Sequence, residues 1–340
     1  MTPTTVASDT PEAGPPGPTG SSGSSGPPDR PGRPNRPNLP PGRPRPRPRA
    51  RRRPQVWAWL SLAPVTILLL AFSYAPLAST LGLSFQKTDL FGRAAGFIGL
   101  DNYVNMFADP ELRRTLMTTV VFVVLTVAGK LVVGLAIAVP LAKRLRGTTF
   151  ARVTVLIPMA VSAAVGGLAF RAMMTPHIGI LDQVAIGLTG RPAGWITEPT
   201  MAMVSIVTVE VWTSIGFVTL ILIAAIDMIP VEVEEAAAVD GAGWWRRLRS
   251  VTIPLITPTL FFLVVTQSAG AIREFTVISV VTGGGPGGST KTLVFDIWSK
   301  AFSGTADYGA SSARGVILLV IIAIMTAIQF RFLERKVNYS

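Results

Sequence analysis

Charge is scarce in this chain, and the few ionisable side chains inside apolar runs are the first chemical clue. Lys130 interrupts one such run, Glu210 another, and the adjacent Arg273 and Glu274 a third. An ionised group at the centre of a bilayer costs roughly 2.5–3.5 kcal/mol, so each must be paired, hydrated or turned toward a polar path. Trp212 lies two residues beyond Glu210. A polar, ring-shaped solute needs hydrogen-bonding groups beside a flat apolar surface, and Glu210, Trp212, Arg273 and Glu274 supply both. These four are the candidate wall of a solute path. Each also has a plainer reading. Counted inward from the ends of their runs, Glu210 and Arg273 lie about 13 Å below the same interface, which makes them a candidate structural pair. Glu274 could take the place of Glu210 in it. Lys130 could snorkel or pair, and a tryptophan in a helical bundle can simply pack.

Other chemistries are excluded. There is no cysteine, so disulfides, thiolate metal sites and cysteine nucleophiles are absent. The single histidine, His177, cannot build a multi-histidine metal centre. No GxxxxGK[ST] loop occurs, so the chain has no P-loop of its own for ATP. No metal and no cofactor is expected in this chain. A membrane-embedded enzyme would need a catalytic constellation that these residues do not provide. The formal charge of +12 is concentrated in ten arginines before residue 54, a distribution that suits a tail held on the cytoplasmic side better than nucleic-acid binding.

The elements that must position the intramembrane charges are long apolar helices. Of 340 residues 49% are apolar and 15% charged, against about 25% charge in a soluble domain. Six runs approach or exceed the ~20 residues that cross a bilayer. They are span 1 (57–80), span 2 (117–141), span 3 (153–174), span 4 (201–226), span 5 (258–282) and span 6 (315–332). Residues 1–54 contain 16 prolines and little to bury, and are expected to be a disordered Pro/Arg-rich tail. Attraction to anionic lipid is an alternative role for it. Residues 55–340 form the membrane domain. Lysine and arginine sit on one side in the tail, at Lys143, Arg144, Arg146 and Arg152, at Arg246, Arg247 and Arg249, and at Arg331, Arg335 and Lys336. The other side has fewer: Lys87, Arg93, Arg113, Arg114, Arg191, Lys291 and Lys300. The positive-inside bias therefore puts both termini, and the loop between spans 4 and 5, in the cytoplasm.

That loop is unusually structured for a connection. Pro230 suits the first turn of a helix. Glu232, Glu234 and Glu235 place negative charge at its positive end, and Ala236, Ala237 and Ala238 continue it with a small-residue face. Gly241 can close it by adopting a left-handed conformation. A second short helix is expected from Trp244 to Val251, before Pro254. Helix, tight turn and helix make a compact knob at the membrane surface. It could be a solvated hairpin without a partner or the docking element for a soluble one.

The loop resembles the EAA motif of ABC importer membrane subunits, EAA-x3-G-x9-I-x-LP. Glu235, Ala236 and Ala237 are followed after three residues by Gly241 and after nine more by Val251, Thr252, Ile253 and Pro254. Val251 stands for Ile and Ile253 for Leu. Further stretches resemble the maltose and glycerol-phosphate type of this superfamily: Ile98–Tyr103, Glu210–Trp212, Thr282–Pro286 and Tyr308–Ala313. The resemblance covers about residues 57–338. It implies an all-α membrane protein with six transmembrane helices and a cytoplasmic EAA coupling helix between spans 4 and 5. It also implies a second similar permease as heterodimer partner, two cytoplasmic ATPase subunits that bind the ATP and magnesium, and an extracytoplasmic solute-binding protein that delivers a sugar. The expected location is the bacterial plasma membrane. The resemblance makes Glu234, Glu235, Ala236, Ala237, Asp240 and Gly241 the ATPase-coupling residues. A secondary transporter, the main competing class, would need an ion-coupling site and commonly an internal repeat; no clear repeat is present, and the EAA spacing has no place in that class.

Overall fold

In a computed structural model of the chain, residues 56–336 are described, except Leu90, Gly92, 143–147 and Thr305. The Pro/Arg tail and the basic loop at 143–147 lie outside the described residues. The membrane domain is almost wholly helical.

Four helices are long and apolar enough to cross a membrane, and they correspond to spans 1, 2, 4 and 6. Span 1 runs through Val56–Leu69, a π-helical turn at Leu70–Tyr74, and Ala75–Leu83. Span 2 is Pro110–Ala142, span 4 Pro199–Asp227 and span 6 Tyr308–Lys336. Spans 3 and 5 depart from the straight helices expected. Span 3 is Thr148–Ala160 and Ala163–Met173, bent by 93° at a two-residue break. The first part of span 5, Thr257–Ala271, is bent by 68° from the helix that precedes it. It then stops at Ala271, and a separate short helix covers Thr276–Val281. Pro158 lies just before the first break and Pro258 just after the second bend, where each removes a backbone donor.

Spans 2 and 4 form the centre. Gly134 of span 2 permits close approach, because a Cβ there would lie 2.8 Å from Val218 Cγ1. Two apolar clusters result. One joins Phe122, Ile206, Val209, Val277, Ile278 and Val281; the other joins Ala138, Val218, Leu222, Ile223, Ile256 and Leu263 toward the EAA end. Spans 1 and 6 pack against each other on the periphery and leave broad apolar surfaces exposed, as lipid-facing helices must.

The end opposite the EAA loop carries elements not foreseen from the all-helical pattern. A two-stranded antiparallel hairpin, Gln86–Thr88 with Ala94–Phe97, follows span 1. Asn102 Nδ2 donates to Ser84 O and Gln86 O at 2.9 and 3.0 Å, and Tyr103 Oη donates to Ser84 Oγ at 2.8 Å. The Ile98–Tyr103 stretch is thus a clasp on the hairpin. Helix Leu293–Phe302 follows the glycine loop after span 5.

Candidate functional site

The EAA segment folds as helix, turn and helix. Pro230, at ψ 135°, is the N-cap rather than a first-turn residue, and the first helix is Val231–Val239. Asp240 caps it and Gly241 follows at φ +74°. No atom lies within 4 Å of where a Cβ on Gly241 would be, so the backbone conformation alone, not crowding, calls for glycine. The second helix continues beyond its expected end. Trp244–Arg247 passes through a π-helical turn, Leu248–Thr252, into Ile253–Leu255. The wider turn accommodates Pro254 inside a helical path, because Ile253 N–H donates to Leu248 O five residues back.

Glu235, Ala236 and Asp240 are exposed, and Glu234 and Ala237 are half-buried. Val239 is 88% and Trp245 72% exposed, large apolar surfaces for a loop. Behind the first helix is a cleft of about 570 Å³, bounded by Val139 and Ala142 of span 2, Ile226 and Asp227 of span 4, and Glu234, Trp244 and Arg247 of the hairpin. Arg152 Nη2 reaches Asp227 Oδ2 at 3.4 Å beside it and donates to Leu141 O at 2.8 Å, tying the bent span 3 to spans 2 and 4.

The intramembrane charges are arranged differently from expectation. Glu210 pairs with Lys130, not with Arg273: Lys130 Nζ donates to Glu210 Oε1 at 2.7 Å and to Gln267 Oε1 at 3.2 Å. The two charged side chains are 2% and 8% exposed. One lysine therefore joins spans 2, 4 and 5. Equal depth fixes height along the helices but not direction around them, and Glu210 faces Lys130. Arg273 lies past the end of its helix, exposed, and its Nε donates to Ala269 O at 2.8 Å. Glu274 is half-buried, and its Oε1 accepts the N–H of Val277 at 2.8 Å, which serves the start of the following helix. Trp212 packs edge-on against Phe170 with ring centroids 5.2 Å apart, connecting spans 3 and 4. Among the described residues, neither Arg273 nor Glu274 has an oppositely charged side chain within ion-pair distance.

A second charged group escaped the sequence reading. At the end opposite the EAA hairpin, Arg314 of span 6 donates to Asp296 Oδ2 at 2.7 Å and approaches Asp109 Oδ2 at 3.5 Å. Lys291 bridges Asp296 Oδ1 at 2.9 Å and Glu111 Oε1 at 2.8 Å. Burial works against the lysine's charge, but its hydrogen bonds to Glu111 and Asp296 outweigh that and raise its pKa above the ordinary lysine value. Arg314, sitting at the very start of an apolar run, was the available signal. Its partners are distant in sequence.

A bundle of broken and continuous apolar helices with an exposed helical knob at one end is the architecture of a transporter's membrane subunit. A family model described as "Binding-protein-dependent transport system inner membrane component" matches residues 130–339, and the chain belongs to that family. It is therefore a membrane component of a binding-protein-dependent import system and not itself an enzyme. Curated relatives include the sn-glycerol-3-phosphate transport system permease protein UgpA of Brucella suis biovar 1 (strain 1330), 35% identical over 280 residues. The match covers 82% of this chain and 94% of the relative. The protein of the same name from Rhizobium meliloti (strain 1021) is 34% identical over 282 residues with the same coverage. Among solved structures, a bacterial ABC transporter involved in import of the acidic polysaccharide alginate superposes with a TM-score of 0.72 at 20% identity, over 84% of this chain and 97% of that one. The same kind of transporter in complex with an alginate pentasaccharide-bound periplasmic protein gives 0.68 at 19% identity, over 81% and 93%. These likenesses carry the fold: the ABC importer permease architecture expected from the sequence is present.

Proposed function

We propose that this chain forms half of the translocation path of an ATP-driven ABC importer and receives a sugar from an external solute-binding protein. A second, similar permease supplies the other half. Of two cytoplasmic ATPase subunits, which hold the ATP and magnesium, one docks on this chain's EAA hairpin. Both chain termini and the hairpin are cytoplasmic; the β-hairpin and the Arg314 cluster face outward. The observation that carries this reading is the Val231–Leu255 knob. Its exposed Val239 and Trp245 and its left-handed Gly241 are what a docking element needs, and a solvated hairpin does not. The cleft behind it leaves room for the knob to move relative to spans 2 and 4. A phosphorylated polyol is the second reading for the solute. Arg273, exposed at the break in span 5, favours it, as do the names of the UgpA relatives.

The test is a pair of substitutions at Gly241 in the reconstituted transporter. A β-branched side chain at φ +74° carries a strain of at least about 1–2 kcal/mol, whereas asparagine tolerates that conformation. Gly241→Val is expected to leave the protein inserted but to abolish ATP-driven uptake and binding-protein-stimulated ATPase activity. Gly241→Asn is expected to retain both. Normal activity in the valine variant sinks the docking role.

A further inference from the structure

Span 3 stands apart from the docking element. The EAA hairpin is continuous through the backbone with span 4 at one end and with span 5 at the other, so a displacement of it reaches those two spans directly. Span 3 has no such route, because it enters from the loop at 143–147 and leaves toward the opposite end of the bundle. Its first half, Thr148–Ala160, is nevertheless seated hard against span 4. A Cβ on Gly216 would lie 2.9 Å from Val155 O and 3.2 Å from Leu156 Cα, so the two backbones touch there. That contact is apolar, and packed helices of this kind can slide past each other.

Arg152, about one turn nearer the hairpin, supplies what the apolar contact lacks. Its Nε and Nη2 donate to Leu141 O at 3.1 and 2.8 Å. That carbonyl belongs to the last turn of span 2, where helical donors run out and a cation is favoured. The same Nη2 meets Asp227 Oδ2 at 3.4 Å. Asp227 is the last residue of span 4 and stands just before Pro230, the N-cap of the hairpin. One guanidinium therefore gathers the ends of spans 2, 3 and 4 at the root of the hairpin. Among the described residues, Arg152 makes the only side-chain hydrogen bonds or ion pair between the first half of span 3 and the rest of the chain.

Stability does not account for the pair. Its side chains are 33% and 29% exposed, and a solvated pair contributes little to holding a fold. Its position is what sets it apart. Beyond the 93° bend, the second half of span 3 is fastened to Thr276–Val281, the short helix after the break in span 5. Arg171 Nη1 donates to Val280 O at 2.9 Å, and Gly167 lies against Val280 and Val281. Span 3 thus runs from the root of the hairpin to the segment beyond Arg273.

We propose that Arg152 and Asp227 are positioning residues for transport: they clamp span 3 to the root of the hairpin, so that the hairpin's displacement turns span 3 and, through it, the helix beyond the break in span 5. The inference rests on the docking role of the hairpin. Without the clamp the ATPase still closes and hydrolyses ATP, but spans 4 and 5 receive the pull while span 3 slips.

The test uses the complete reconstituted transporter, with uptake measured for maltose and for sn-glycerol 3-phosphate. Arg152→Gln and Asp227→Asn are each expected to leave the yield and thermal stability of the chain unchanged and binding-protein-stimulated ATPase activity in place. ATP-driven uptake is expected to fall about tenfold, so that more ATP is hydrolysed per solute carried. Asp227→Glu keeps the carboxylate and is expected to transport normally. The natural absence of cysteine allows the link to be rebuilt. Arg152→Cys combined with Asp227→Cys should be uncoupled until a short bifunctional thiol reagent joins the two, and should then recover most of its uptake. Each single cysteine variant, treated in the same way, should not recover. Normal uptake in Arg152→Gln overturns the clamp, as does a parallel loss of stability, ATPase activity and uptake, which marks a merely structural pair. Failure of the joined cysteine pair to recover overturns it too. If Gly241→Val is inactive while Arg152→Gln transports normally, only the clamp is wrong; if Gly241→Val also transports normally, the docking role itself has failed.

Discussion

The EAA hairpin and the Lys130 cluster solve opposite problems with similar residues. In the cluster, one cation meets one carboxylate and one amide, all from different spans, and both charged side chains are out of reach of solvent. Its valences are filled from within the chain. In the hairpin, Glu232, Glu235 and Asp240 stand exposed beside uncovered Val239 and Trp245. A group satisfied internally at membrane depth is architecture, because leaving it unpaired costs several kcal/mol. Exposed apolar surface between charges is what a chain leaves when another chain is to cover it. On this geometry Glu210 ties spans 2, 4 and 5 together through Lys130 and Gln267, whereas the hairpin keeps its apolar surface uncovered.

The largest effect is expected from breaking the cluster. Removing one member of a buried ion pair typically costs about 3–5 kcal/mol, because the other charge is stranded. Lys130→Ala and Glu210→Ala should each lower the thermal stability of the detergent-solubilised protein sharply and reduce its yield in the membrane. Lys130→Met combined with Glu210→Leu should recover most of the loss, since a well-packed apolar pair can replace a buried ionic one. A double variant no better than the singles would show that the charges do more than hold spans 2, 4 and 5 together.

The hairpin end of the comparison is sharpened by its sidedness. Ser250 is exposed on the second helix of the knob and Ala95 on the β-hairpin at the opposite end. In sealed cells, Ala95→Cys should react with an impermeant thiol reagent and Ser250→Cys should react only after the membrane is opened. Reaction of Ser250→Cys in sealed cells reverses the orientation and removes the hairpin from any cytoplasmic ATPase.

The helix–turn–helix was legible because every signal in it is local. Pro230, the three glutamates and Gly241 act within one or two turns, and the structure differs only at the ends, where a π-turn carries the second helix through Pro254. Spans 1, 2, 4 and 6 were legible from length and hydropathy alone. The bends in spans 3 and 5 were not, because an apolar run looks the same whether it is straight or broken, and prolines such as Pro158 and Pro258 are tolerated in unbroken membrane helices. The charge pairings were the least legible. Lys130 and Glu210 are 80 residues apart, and Arg314 and Asp109 are 205 apart. Their pairing depends on rotation about helix axes that tertiary packing sets. Gln267 carried a weak signal, as a strongly polar amide in an apolar run, but nothing local says that it serves Lys130.

The smallest effect is expected at Arg273, and it decides how far the contrast between scaffold and surface extends into the membrane. Its side chain is exposed in the isolated chain, and its hydrogen bond is to the carbonyl of Ala269 in its own helix. Nothing is stranded when it is replaced, so Arg273→Gln should change stability by no more than about 0.5 kcal/mol. Glutamine keeps a hydrogen-bond donor and loses the charge. For a neutral sugar the remaining donor is enough, and uptake should fall no more than a few-fold. For an anionic solute the lost charge-assisted hydrogen bond is worth about 1.5–3 kcal/mol, which at 1.4 kcal/mol per decade is roughly a tenfold or greater fall in uptake. Measured side by side in proteoliposomes with maltose and sn-glycerol 3-phosphate, the two solutes therefore separate the two readings. A lower yield of the assembled transporter, with the isolated chain still stable, would instead place Arg273 at the contact with the second permease and leave the break in span 5 to Glu274 and the backbone.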